Sequence, residues 1–160
     1  MDAEQLEKLR YPIGNFKDPL EYNPGNIKRW IGEIEELPGL CRIELEQFTN
    51  EMLDESYKPG GWTARQVIHH IADSHMNAYI RFKLTLTEDL PTVKPYAEAL
   101  WAELPDGRAP VKVSLELLEA LHRRFVLVLK SINEEQFNRS YFHPDYNRKY
   151  SLKNALALYA

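Results

Sequence analysis

The stretch from Thr63 to Glu88 constrains this chain more than any other. Thr63-Ala64-Arg65-Gln66 reads as a capping box, in which the threonine hydroxyl and the glutamine side chain satisfy each other's backbone N–H groups. Apolar residues then recur at helical spacing, with Val67, Ile71, Ala78 and Phe82 on one face and Ile68 and Leu86 beside them. Gly60-Gly61-Trp62 breaks the chain before the box, and Asp89-Leu90-Pro91 breaks it after. The spacing predicts one helix of about 26 residues, roughly 40 Å long and able to cross a whole bundle.

Two further segments read the same way. After the turn cluster Asn23-Pro24-Gly25-Asn26, the residues Ile27, Trp30, Ile31, Ile34, Leu37, Cys41, Leu45 and Phe48 form an apolar helix face. Pro38 is expected to kink that segment or divide it in two. Ser114 is expected to cap a third helix, with Leu115, Leu118, Leu121, Phe125, Val128, Leu129 and Ile132 on its buried side. Ser151 is expected to cap a fourth, running from Leu152 to Ala160. Residues 1–25, with Tyr11-Pro12-Ile13-Gly14, Pro19 and Pro24, read as an extended N-terminal arm. Residues 89–113 form a long connection, and one of that length in a compact domain more often lies over a site than idles.

A half-repeat orders these pieces. Glu51-Met52-Leu53-Asp54-Glu55-Ser56-Tyr57 precedes the second helix, and Glu135-Gln136-Phe137-Asn138-Arg139-Ser140-Tyr141 precedes the fourth. Each is followed by a turn and a capping Thr63 or Ser151. The expectation is a single all-α domain over residues 1–160, a four-helix bundle with approximate twofold symmetry. Residues 151–160 are then only the start of the last helix, since neither a glycine cap nor a proline follows Leu158-Tyr159-Ala160.

Composition narrows the function. Hydrophobic residues at 44% and charged residues at 28% suit an ordinary core and surface. Twenty basic against twenty-four acidic side chains give a formal charge of −4, which lacks the footprint of a nucleic-acid binder. No apolar run approaches the roughly 20 residues of a membrane span. Met1-Asp2-Ala3-Glu4-Gln5 lacks the order of a signal peptide. Cys41 is the only cysteine, which excludes an intramolecular disulfide, and its apolar helix face makes it a small core residue rather than a nucleophile. The expectation is a cytoplasmic protein without membrane or nucleic-acid partners.

The chemistry is carried by histidine. His69, His70 and His75 share the second helix but not one face of it. Gln66, Ser74, Asn77 and Arg81 lie within roughly 40° of His70, with Asp73 about 60° away, forming a polar stripe along the edge of the apolar face. From spacing alone this stripe reads equally as a solvated surface or as the lining of a polar cavity, with His70 as a metal ligand. No CxxC, HxxxH or HExxH supplies further ligands. Asn77 and Arg81 are candidates to contact an anionic or amide group of a substrate, and an ion pair is the plainer reading of Arg81. His143-Pro144-Asp145 reads as turn chemistry, and nothing resembles a Ser-His-Asp arrangement or a phosphate-cradling loop.

The stretch from Gly60 through the His69-His70 pair to Glu88 resembles the YfiT-like branch of the DinB superfamily, a bacterial group described as metal-dependent hydrolases and bacillithiol S-transferases. Tyr11-Pro12-Ile13-Gly14, Pro95-Tyr96, Trp101, Phe142-His143-Pro144-Asp145 and Asn154-Ala155-Leu156 continue the resemblance in order. It implies a bundle that binds one divalent ion, zinc or nickel, through three histidines. The second of the His-His pair maps to His70; the other two belong to an HxxxH that starts in relatives about two residues past the position of Ala160. A small-molecule thiol with an electrophile, or a hydrolysable substrate, and a homodimer are implied likewise. The rival expectation is a non-catalytic bundle for binding or dimerisation, its metal site vestigial.

Overall fold

The computed structural model describes residues 3–19 and 21–160. Its first element, α1 (Ala3–Arg10), corrects the reading of an arm that is extended throughout. The segment Ala-Glu-Gln-Leu-Glu-Lys-Leu-Arg consists of strong helix formers, whose local preference outweighs the breaking effect of Pro12, Pro19 and Pro24 further along the arm.

Helix α2 (Pro24–Leu45) starts where Asn23 accepts the Asn26 N–H at 2.9 Å, with Pro24 in the first turn, where no N–H donor is needed. Pro38 does not divide it. The helix continues because Pro38 is buried against the bundle, and the Ile34 carbonyl that it deprives of a donor is met by His122.

A short helix α3 (Asn50–Leu53) leads to α4 (Ala64–Thr87). The capping box forms as read: Thr63 N–H donates to Gln66 Oε1 at 3.0 Å, and Gln66 N–H to Thr63 Oγ at 3.2 Å. The connection after α4 holds α5 (Glu98–Trp101) and a 3-10 turn at Pro105–Arg108. Helix α6 (Val111–Ser131) begins three residues before Ser114, with Pro110 in the capping position. Ser114 therefore lies inside the helix and caps nothing; its hydroxyl is engaged by His69 instead.

Helix α7 (Glu134–Phe137) precedes a two-stranded antiparallel hairpin, β1 (Ser140–His143) and β2 (Arg148–Ser151), which adds to the all-helical reading. The turn at Pro144–Asn147 joins the strands, as read for His143-Pro144-Asp145. Helix α8 (Leu152–Tyr159) comes next, capped by Ser151. The half-repeat is thereby visible in the fold. Ser56 bridges Thr63 ahead of α4, and Ser140 pairs with Ser151 ahead of α8, each after a one-turn helix.

Helices α2, α4, α6 and α8 form the bundle, with α6 against both α2 and α4, and α8 packed on α2 and α4. Ile34, Phe82, Phe125, Leu129, Leu152 and Leu156 make its centre. The Phe82 and Phe125 rings meet edge to face at 5.1 Å, and burying each such side chain contributes on the order of 2 kcal/mol. Among the described residues, no helix is long and apolar enough to cross a membrane.

Candidate functional site

Helix α4 carries the polar stripe along the bundle, and the tertiary structure splits it between two recesses. His70 and Asp73 border a small pocket of about 130 Å³, closed by Trp101, Asp106, Gly107 and Ser114. Ser74 and Arg81 line a larger, polar cavity of about 550 Å³. His75, Tyr96, Tyr141, His143 and Tyr159 complete its wall, with Glu98 and Asp145 at exposed positions. The connection 89–113 lies over both recesses, contributing Pro95, Tyr96 and Glu98 to one and Glu98, Trp101 and Asp106 to the other.

The three histidines of α4 have separate fates. His69 is buried: its Nε2 donates to the Ala109 carbonyl at 3.0 Å, and Nδ1 lies 2.7 Å from the Ser114 hydroxyl. Both nitrogens are thus committed. His70 is half-buried, its ring set edgewise against Trp62 at 4.8 Å, and neither nitrogen is hydrogen-bonded to a described residue. Its ring therefore keeps a lone pair available to an ion. His75 is buried and stacked on His122 of α6, with centroids 4.8 Å apart. Burial first, then the proximity of His122 and His70, carries the His75 pKa down to about 4.

Arg81 Nη1 donates to the Tyr159 hydroxyl at 2.9 Å. Its buried Nε has no partner, and among the described residues it forms no ion pair, contrary to the plainer reading. Asn77 turns back on its own helix, donating to the Asp73 carbonyl at 2.9 Å, and does not line the cavity. Burial pushes the Tyr96 phenol up to about 12, with Glu98 adding to the effect and the neighbouring Ser74 hydroxyl opposing it. Burial also pushes His143 down, and its Nδ1 has no partner among the described residues. Cys41 is half-buried rather than in the core cluster, a correction to its reading as a core residue, and burial raises its thiol pKa.

Sequence reasoning missed His122. The available signal was its place between Leu118 and Phe125, spacings that put it on the buried side of α6. Among the described residues, no three His, Cys, Asp or Glu side chains stand close enough together to hold a metal ion. His70 is a free imidazole suited to be one ligand, and the described residues do not complete a set around it.

This four-helix bundle, whose helix α4 carries a histidine at a small pocket that shares Glu98 with the polar cavity, has the architecture of a known group. Residues 26–160 match the sequence profile of the DinB superfamily, and the chain belongs to that superfamily. It is similar, at 48% identity over 155 residues, to a Bacillus cereus (strain AH820) protein named "Putative metal-dependent hydrolase"; the match covers 97% of this chain and 89% of that protein. A Bacillus thuringiensis subsp. konkukian protein of the same description matches at 48% over the same shares. Among solved structures, YfiT from Bacillus subtilis, described as "a probable metal-dependent hydrolase with an unusual four-helix bundle topology", superimposes with a TM-score of 0.92. It is 45% identical, and the match covers 95% of this chain and 87% of that one.

Proposed function

We propose that this protein is a metal-dependent enzyme acting on small molecules, either a thiol S-transferase of the bacillithiol type or a hydrolase. His70 supplies one ligand to a divalent ion, zinc or nickel, and the resemblance implies two further histidine ligands. The observation that carries this reading is the imidazole of His70, without a hydrogen-bond partner among the described residues, at a small pocket that shares Glu98 with the polar cavity, in a chain whose relatives bear metal-dependent hydrolase names. An ion held by neutral histidines lowers the pKa of water or a thiol towards neutrality. The protein's own groups do the rest: Arg81 holds an anionic group of the substrate, and the 89–113 connection contributes Pro95, Tyr96 and Glu98 to the wall around it. Asn77, committed to its helix backbone, is the lesser candidate for substrate contact.

Elemental analysis of the purified full-length protein tests this, with thiol-conjugation and ester-hydrolysis assays beside it. One ion per chain, lost in His70→Ala together with activity, is the expected result. Absence of stoichiometric metal, or an unchanged metal content in His70→Ala, overturns the reading in favour of a non-catalytic bundle. The resemblance also supports a homodimer, which sedimentation would check.

A further inference from the structure

One wall of the cavity is backed by a histidine pair for which metal binding by His70 has no use: His75 lines the cavity and His122 is buried behind it. Pro38 has no N–H, so the Ile34 carbonyl one turn earlier lacks its helical donor. His122 Nδ1 lies 2.5 Å from that oxygen. A carbonyl oxygen only accepts, so Nδ1 of His122 carries the hydrogen. The ring is 2% exposed and has no counter-ion among the described residues, which keeps it neutral and leaves Nε2 as a bare acceptor. His75 Nδ1 lies 3.0 Å from that Nε2 and therefore carries the hydrogen of the second ring. The unprotonated nitrogen of His75 is then Nε2, on a residue that lines the 550 Å³ cavity. Stacking on His122 and an edgewise contact with the Tyr159 ring at 5.7 Å hold the imidazole in place.

We propose that His75 Nε2 is a fixed hydrogen-bond acceptor for a protic group of the substrate, an S–H or O–H, and that His122 is the positioning residue that holds it in this form. The inference rests on the cavity being the substrate site. Its chemistry complements that of Arg81: the guanidinium on the same wall requires an acceptor from the ligand, and His75 requires a donor. The ligand class is a small thiol or alcohol that also carries an anionic group. No proton is transferred; the pair keeps its hydrogens where the Ile34 carbonyl places them.

Two readouts test it, both on full-length protein held metal-free with a chelator. The first is the two-bond proton–nitrogen spectrum of the histidine rings near neutral pH, assigned by single substitutions. The expected spectrum shows His75 and His122 neutral with hydrogen on Nδ1; His122→Phe should convert His75 to a tautomer mixture, and His122→Gln, which retains an acceptor, should restore it. The second is calorimetric titration with N-acetylcysteine, which carries both groups. His75→Phe and His122→Phe should each weaken binding about fivefold, the loss expected for one hydrogen bond. A wild-type His75 with hydrogen on Nε2 or doubly protonated overturns the inference, whether or not the variants fold. So does a wild type that shows no saturable binding, or a folded His75→Phe that binds as the wild type does. A failed His70 metal test leaves the ring spectra untouched, so the two failures are distinguishable.

Discussion

The Arg81 guanidinium donates through Nη1 to the Tyr159 hydroxyl, 2.9 Å away and 78 positions along the chain, and meets no carboxylate among the described residues. A half-buried cation without a counter-ion is costly, and an anionic ligand group relieves that cost. Arg81→Ala should therefore raise KM for an anionic substrate tenfold or more, with a smaller change for a neutral analogue. Arg81→Lys keeps the charge but loses the fork, and should recover only part of the effect. Steady-state kinetics on paired charged and neutral substrates would decide. Equal losses on both substrates would sink the anion-binding role.

Ser114→Ala should destabilise the fold by about 1–2 kcal/mol, because His69 Nδ1 would be left buried beside an empty position. Chemical denaturation measures this. Metal content should stay unchanged, since His70 does not depend on that bond; a loss of metal in Ser114→Ala would tie the two histidines together.

Gly107 closes the pocket beside His70 in the 3-10 turn. A Cβ there would lie 2.6 Å from the Ala102 carbonyl oxygen, a backbone atom that cannot swing away. Gly107→Ala should cost about 1–3 kcal/mol as the turn shifts outwards. Faster amide exchange over residues 102–109 is the expected local signature. An unchanged melting temperature and exchange pattern would contradict it.

Stability should fall as the pH drops from 7 towards 4. His75 has an ordinary value of 6.5 and a folded value of about 4, and burial pushes His122 down as well. Below about 6.5 the unfolded chain takes up protons that the folded protein refuses, so unfolding becomes easier until His75 itself titrates. The contribution of His75 is full above pH 6.5 and diminishes by up to about 3 kcal/mol by pH 4. Urea denaturation across that range in wild type and His75→Gln separates this from carboxylate effects. Parallel curves for the two proteins would refute it.

The sequence by itself determined the three long helices, the caps at Thr63 and Ser151, and the half-repeat. These features obey local rules: apolar spacing at 3.6 residues per turn, and side chains that satisfy backbone groups three residues away. The α1 helix was equally local and was obscured only by the neighbouring prolines. Tertiary structure alone decided the partners. Whether Pro38 would break α2 depended on a donor from His122, 88 positions away from the Ile34 carbonyl. Ser114 reads as a cap until His69 is placed 45 positions from it. Arg81 reads as an ion-pair residue until α8 brings Tyr159 rather than a carboxylate. Periodicity determines which way a side chain points from its own helix. The group it meets there is set by how the helices pack against one another, and that depends on the close packing of the whole core.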